Sequence, residues 1–180
     1  MEKIFSIDKK KLVYENPWMR VLEYDITRRG EKGIYSIVER KDCALIIPLS
    51  PSQKTVLLKV YRFPTDSDSW EFPMGAVEKD EKIEATAIRE LKEETNINAK
   101  EVTKIGEFLA VPGLTPQKVI VFVAHVSDKE LDKSKAMKVD EIKDIKRLSV
   151  EEVKEMVLSG EITDGYTLAS MTYLMLYLKK

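Results

Sequence analysis

Glu90, Glu93 and Glu94 lie within five consecutive positions, and Arg89 directly precedes them. On a helix, residues three and four apart share a face, so the three carboxylates would crowd one turn around a single guanidinium. Like charges this close weaken an isolated helix. A divalent cation removes that penalty, because Mg²⁺ prefers hard oxygen donors and is commonly held by a few carboxylates together with substrate phosphates. A solvated charged face would show the same glutamates, so the cluster needs a second signal. That signal lies upstream. Five residues separate Gly75 from Glu81, seven separate Glu81 from Arg89, and aliphatic residues stand at Leu91 and Ile97.

Residues 82–95 repeat with a helical period: Ile83, Ala87, Ile88 and Leu91 form an apolar stripe and the other faces are charged. Before this helix, 43–49 is a continuous apolar run suited to a buried strand. A turn at Ser50-Pro51-Ser52-Gln53 leads to 56–61, the expected pairing partner. Residues 65–69 read as a polar loop. Farther upstream, 13–15, 19–27 and 34–39 alternate apolar and polar residues between breaks at Asn16-Pro17, Gly30 and Gly33, as strands of a small antiparallel unit do. Strands are also predicted over 103–110 and 119–126, flanking Pro112-Gly113-Leu114-Thr115-Pro116. Residues 128–140 form a charged stretch without periodicity. Ser149-Val150-Glu151-Glu152 is a capping box opening a helix that ends near Gly160, and 167–178 is a last, mostly apolar helix. The fold class is α/β (α+β): a mixed sheet between three helices, with a small antiparallel β appendage at the N-terminus. A boundary falls near residue 40, dividing a 1–40 subdomain from a 41–180 domain.

The 180 residues are 43% hydrophobic and 34% charged, a globular composition, with a net charge of −1 and basic residues spread along the chain. Nucleic-acid binding would need clustered positive charge, so no nucleic-acid partner is expected. The single cysteine, Cys43, cannot form an internal disulfide. No apolar run resembles a signal peptide or a membrane span. The expectation is a cytoplasmic protein with no membrane partner.

The residues from Gly75 to Ile97 resemble the Nudix box, G-x5-E-x7-R-E-U-x-E-E-x-G-U, in which U is aliphatic. Six of its seven fixed letters stand in place, a coincidence of roughly 10⁻⁵ by chance. The departure is Asn96 in place of the last glycine; Asn is the next-best residue for a left-handed backbone after a helix. The resemblance implies the Nudix fold and a Mg²⁺ cofactor, with Mn²⁺ as the alternative. It implies Glu90 and Glu94 as metal ligands, Glu93 as a further ligand or base, and the Met74 carbonyl as a backbone ligand. Arg89 would orient the glutamates, while Gly75, Glu81 and Asn96 shape the motif. Such an ion would neutralise phosphate oxygens and acidify an attacking water.

Flanking segments resemble the ADP-ribose pyrophosphatase branch of that family. Val60-Tyr61-Arg62 is similar to its Q-Y-R segment, Trp70-Glu71-Phe72-Pro73-Met74-Gly75 to W-E-L-P-A-G, and Val111-Pro112-Gly113-Leu114-Thr115 to S-P-G-F-[ST]. The resemblance implies hydrolysis of ADP-ribose or a related nucleoside-diphosphate sugar to a nucleoside monophosphate and a sugar phosphate. Its alternatives are a GDP-sugar, a dinucleoside polyphosphate, a nucleoside triphosphate, or a non-catalytic nucleotide-sensing role. Substrate contacts would come from Arg62, whose fork matches phosphate oxygens, and from Trp18, Arg40, Pro112, Gly113 and Gln117. Tyr14 and Tyr35 are further candidates for an aromatic wall. Relatives also carry a separate catalytic base in the acidic segment before the penultimate strand. Glu141, next to Asp140, is best placed for it; Glu130 and Asp132 are alternatives. The N-terminal subdomain would make a homodimer and wall the nucleoside pocket. His125 and Cys43 read as packing residues.

Overall fold

The computed structural model describes residues 4–137 and 141–179. The chain divides into two compact units, one formed by 1–42 with 109–118 and the other by 43–108 with 119–180.

The first unit is an antiparallel meander of β1 (Phe5–Glu15), β2 (Arg20–Arg28) and β3 (Glu31–Glu39). Asn16 builds the first turn by accepting the amides of Trp18 and Met19 on its side-chain oxygen. Arg29 and Gly30 both take positive φ between the paired residues Arg28 and Glu31, a two-residue turn whose twist suits adjoining strands. The 13–15 expectation covered only the end of β1. Three consecutive lysines, Lys9 to Lys11, and two register shifts against β2 hide its earlier alternation.

The second unit holds two sheets. One is ordered β7-β4-β9-β8, from β7 (Met74–Ala76), β4 (Cys43–Leu49), β9 (Lys118–His125) and β8 (Thr103–Leu109). The other is ordered β10-β5-β6, from β10 (Ile142–Ser149), β5 (Lys54–Arg62) and β6 (Ser67–Glu71). β4 runs parallel to β9 and antiparallel to β7, and it is buried along its whole length, as its unbroken apolar sequence demands. Its expected partner was 56–61. That segment instead lies in the second sheet, as β5 between β10 and β6. Adjacency favours a hairpin, but the stable pairing for β4 lies some 75 positions away, at Cys43↔Val119. The polar stretch expected to be a loop becomes β6 after a one-turn 3₁₀ segment at Phe63–Thr65. Pairing with β5 overrides the poor strand propensity of its serines and Asp68.

Four helices are described: α1 (Ile83–Thr95), α2 (Asp128–Asp132), α3 (Val150–Leu158) and α4 (Gly165–Tyr177). Short α2 falls where no periodicity was read, yet Ser127 caps it by accepting the Glu130 amide. The capping box at Ser149 opens α3, and Asp164 caps α4 through the Thr167 amide. α1 turns Ala87 and Leu91, both fully buried, onto Ala44 and Ile46 of β4, Val56 of β5, and Ile120, Phe122 and Ala124 of β9. Burying Leu91 alone stabilises the helix's placement by roughly 1.5–3 kcal/mol. Its charged face is thereby aimed away from the core, toward β7. No helix of the described residues is long and apolar enough to cross a membrane.

Candidate active site

The charged face of α1 is organised by Arg89. Its Nε and Nη2 each donate to Glu81, at 3.0 Å, and Nη1 donates to Glu90 at 2.7 Å and to Glu93 at 3.0 Å. One planar fork thus gathers three carboxylates, two from α1 and one from the loop before it. Glu81 also accepts from the Thr86 hydroxyl and the Glu78 amide. The Arg89 bonds, then Thr86, hold the Glu81 carboxyl at about 2, and the same contact with Glu81 raises the guanidinium above its usual value. Asn96 ends the helix in the left-handed conformation, φ 61°, its amide returning to the Lys92 carbonyl.

Gly75 allows the next contact. A Cβ there would stand 1.9 Å from Glu90 Cδ and 2.0 Å from its Oε1, so the glycine is the space into which the Glu90 carboxylate folds. Burial raises the Glu90 pKa against the opposing pull of Arg89. Glu94 is also half-buried, and its carboxylate is the more strongly desolvated of the two. Its pKa is pushed up to about 8, first by desolvation and then by the Glu90 charge, while the Met74 amide and Arg62 oppose the shift. The Met74 N–H donates to Glu94 Oε2 at 3.1 Å.

Glu94 lines a cavity of about 360 Å³, with Arg62, Glu71, Met74 and Glu141 as the other polar or backbone contributors and Leu58, Val60, Phe72 and Ile142 as apolar walls. Arg62, at the end of β5, donates from Nε to Glu71 at 2.9 Å and from Nη2 to the second Glu71 oxygen; Nη1 reaches Glu141 at 3.3 Å. Glu141 is anchored by its own carbonyl, which accepts the Tyr61 amide at 2.9 Å. The structure therefore brings Arg62, Met74, Glu94 and Glu141 to one cavity, with Glu90 and Arg89 adjoining through Gly75 and α1.

Two rivals for the base stand elsewhere. Glu130 accepts both the amide and the side-chain nitrogen of Asn98 and is held at about 2 by those bonds. Asp132 is exposed at the last position of α2, its carbonyl accepting from Arg147. Asp140 lies outside the described residues. Within the first unit, Trp18 is 76% exposed, and Arg40, Pro112 and Gly113 are exposed. Tyr35 donates to the Gly113 carbonyl at 2.9 Å. Gln117, expected at the substrate, is 2% exposed, and its side chain donates to the Lys41 carbonyl. It serves there as a brace between the 109–118 excursion and the end of the meander.

Sequence reasoning overlooked Glu71 as a site residue. It is 2% exposed and holds Arg62 in a two-point grip. An acid flanked directly by Trp70 and Phe72 was its signal, since a carboxylate set between bulky apolar residues is seldom buried without a charged partner.

The donor chemistry suits a hard divalent cation. Glu90 and Glu94 are carboxylates whose charge the local burial disfavours, so a cation beside them regains what desolvation costs. Among the described residues, no three acidic, histidine or cysteine side chains form a ready-made metal cage. Mg²⁺ needs none, because it retains waters and takes substrate phosphates with one or two carboxylates.

The fold, the Gly75–Glu90 contact and the Arg89-centred glutamates together define a Nudix domain; the NUDIX domain family matches residues 39–169, and the chain belongs to that family. Among its relatives, ADP-ribose pyrophosphatase of Bacillus subtilis is 31% identical over 147 residues, covering 82% of this chain and 79% of that protein. GDP-mannose pyrophosphatase of Salmonella paratyphi B is 31% identical over 185 residues, covering 97% and 96% respectively. A solved ADP compounds hydrolase superposes with a TM-score of 0.79 at 16% identity, covering 98% of this chain and 95% of that one, which shows a shared fold.

Proposed function

We propose that this Nudix protein hydrolyses the pyrophosphate bond of ADP-ribose or a related nucleoside-diphosphate sugar, releasing a nucleoside monophosphate and a sugar phosphate. The observation that carries this reading is the cavity in which Arg62 and Glu141 face the half-buried, desolvated Glu94, in a chain 31% identical to an ADP-ribose pyrophosphatase. The Arg62 guanidinium, fixed by Glu71, pairs with diphosphate oxygens. Glu141 accepts a proton from the attacking water, and the bond from phosphorus to the bridging oxygen breaks. Glu90 and Glu94, with Glu93 and the Met74 carbonyl as further donors, would hold Mg²⁺ or Mn²⁺. When bound, the ion would offset phosphate charge and lower the pKa of water. Arg89 orients the glutamates, and Gly75, Glu81 and Asn96 keep the motif in shape.

A second substrate is favoured by a separate observation: the GDP-mannose pyrophosphatase relative aligns over 97% of this chain, against 82% for the ADP-ribose enzyme. GDP-sugars therefore belong in the same assay.

The 1–40 subdomain is proposed to dimerise and, with Trp18, Arg40, Pro112 and Gly113, to contribute to substrate binding; the buried Gln117 would act by bracing that loop. Its exposed apolar residues, Ile7 and Ile34 at 64% each, and a shallow apolar cavity of about 350 Å³ between Phe5 and Tyr35 support a contact surface. A monomer mass by light scattering would remove the dimer. The 41–180 segment is proposed as the hydrolase domain, and the cytoplasm as its compartment. The deciding experiment is a chromatographic panel of ADP-ribose, GDP-mannose, dinucleoside polyphosphates and nucleoside triphosphates with Mg²⁺. Turnover of a nucleotide sugar to a monophosphate is expected; no turnover of any diphosphate-linked nucleotide would refute the reading.

A further inference from the structure

We propose that Arg147 is a positioning residue for the hydrolytic reaction, because its guanidinium fastens the segment whose amides bond the carbonyl end of the helix that carries Glu94. The proposal rests on the hydrolase reading above. From β10, Arg147 Nε donates to the Leu131 carbonyl at 2.9 Å, and Nη2 donates to the carbonyls of Asp132, at 3.0 Å, and Ser134. A rigid planar fork spreads its donors over separate nitrogens and so meets three backbone oxygens in fixed directions, whereas a lysine would have to gather all three around one ammonium nitrogen. Ser134 is 2% exposed and its hydroxyl has no partner, so that side chain does not hold the segment.

Directly after Ser134, the same segment turns its amides to α1. Lys135 N–H donates to the Thr95 carbonyl at 3.0 Å, and Met137 N–H donates to the Glu94 carbonyl at 3.2 Å. The last carbonyls of a helix have no partner within it; here the 131–137 segment supplies partners to Glu94, which carries the desolvated carboxylate, and to its neighbour. At 141 the chain is pinned again, through the Tyr61 amide on the Glu141 carbonyl and the Arg62 contact on its carboxylate. Arg147 touches neither carboxylate. It holds the 131–134 backbone, whose continuation at Lys135 and Met137 is bonded to the end of α1, and so steadies the proposed metal ligand Glu94. A displacement of about 1 Å at such groups can cost on the order of a hundredfold in rate.

The test uses the full chain with Arg147→Lys and Arg147→Ala. For the substrate that wild type hydrolyses, kcat should fall about 10- to 100-fold in Arg147→Ala and less in Arg147→Lys, with KM within about twofold because Arg62 is untouched. Millimolar guanidinium should restore part of the kcat of Arg147→Ala. Amide hydrogen exchange at Lys135 and Met137 should accelerate in both variants while β4 keeps its protection. Wild-type kcat in Arg147→Lys with unchanged exchange at both amides overturns the proposal. So does a kcat loss accompanied by uniform loss of protection and no rescue, which marks a purely structural arginine. If Arg147→Ala does not fold, Arg147→Lys decides alone. Exchange is read without substrate, so a wild type that hydrolyses nothing refutes the functional reading, whereas unaltered exchange refutes the brace.

Discussion

Replacing Gly75 by alanine should separate catalysis from folding in this protein. The added methyl would meet Glu90 Cδ at 1.9 Å, Oε1 at 2.0 Å and Cγ at 2.4 Å, against an ordinary contact of 3.4 Å or more. The carboxyl carbon must therefore retreat by about 1.5 Å, the difference between 3.4 and 1.9 Å. It can do so by rotating its side chain, because the obstructing atoms are the end of a flexible glutamate and not backbone. Gly75 has no positive φ, so alanine adds no backbone strain. The fold should lose only the Arg89–Glu90 contact and some packing, about 1 kcal/mol, or roughly 2–4 °C in Tm for a chain of this size. The chemistry is more sensitive: a ligand shifted by more than 1 Å predicts a loss of about 10² or more in kcat. Thermal unfolding and Mg²⁺-dependent formation of AMP from ADP-ribose, measured on the same preparation, test both halves. A kcat within twofold of wild type would show that the position of Glu90 does not matter to the reaction. A Tm loss above about 10 °C would show that Gly75 serves the scaffold instead.

Glu94→Gln should lower kcat by about 10³ or more, since a neutral amide replaces the most strongly desolvated of the proposed ligands. It should also alter the pH dependence of stability without divalent ions. The Glu94 pKa of about 8 lies above the ordinary 4.5, so its contribution is fully present below 4.5 and is lost as pH rises through 8. The variant's Tm advantage in chelator should therefore grow from about pH 5 to about pH 9; an equal difference at both would contradict the burial argument. Glu141→Gln should cost about 10²–10⁴ in kcat as loss of a general base. Glu130→Gln should leave kcat near wild type, since Glu130 is engaged with Asn98; the reverse pattern would transfer the role. Gly106→Ala should act on stability alone. Its Cβ would meet the Tyr173 ring at 2.2 Å, and that ring is held by its hydroxyl on the Glu107 carbonyl and by stacking on Phe108. A cost of about 1–3 kcal/mol, several degrees in Tm, with unchanged kcat/KM is expected. An unshifted melting curve would show that the ring yields freely.

Much of this was readable because its causes are local. The α1 period, the apolar run of β4 and the capping box at Ser149 each act within a few residues, and the Gly75–Glu81–Arg89 spacing is itself a statement about sequence distance. Ser127-Asp128-Lys129-Glu130 was equally local and was passed over, though it signalled α2. Other features have no local cause. The pairing of β4 with β9 rather than β5, the strand formed by Ser67–Glu71, and the three carbonyls gathered by Arg147 depend on segments brought together only by folding. The three glutamates of α1 show the division most plainly. In the sequence they are equivalent acids on one turn. In the fold, Glu93 is 55% exposed beside Arg89, Glu90 occupies the space left by Gly75, and Glu94 is desolvated against the Met74 amide with a pKa of about 8. Residue type and spacing determined that carboxylates would cluster there; the strands packed over them decided which one loses its water, because desolvation depends on neighbours that sequence distance does not reveal.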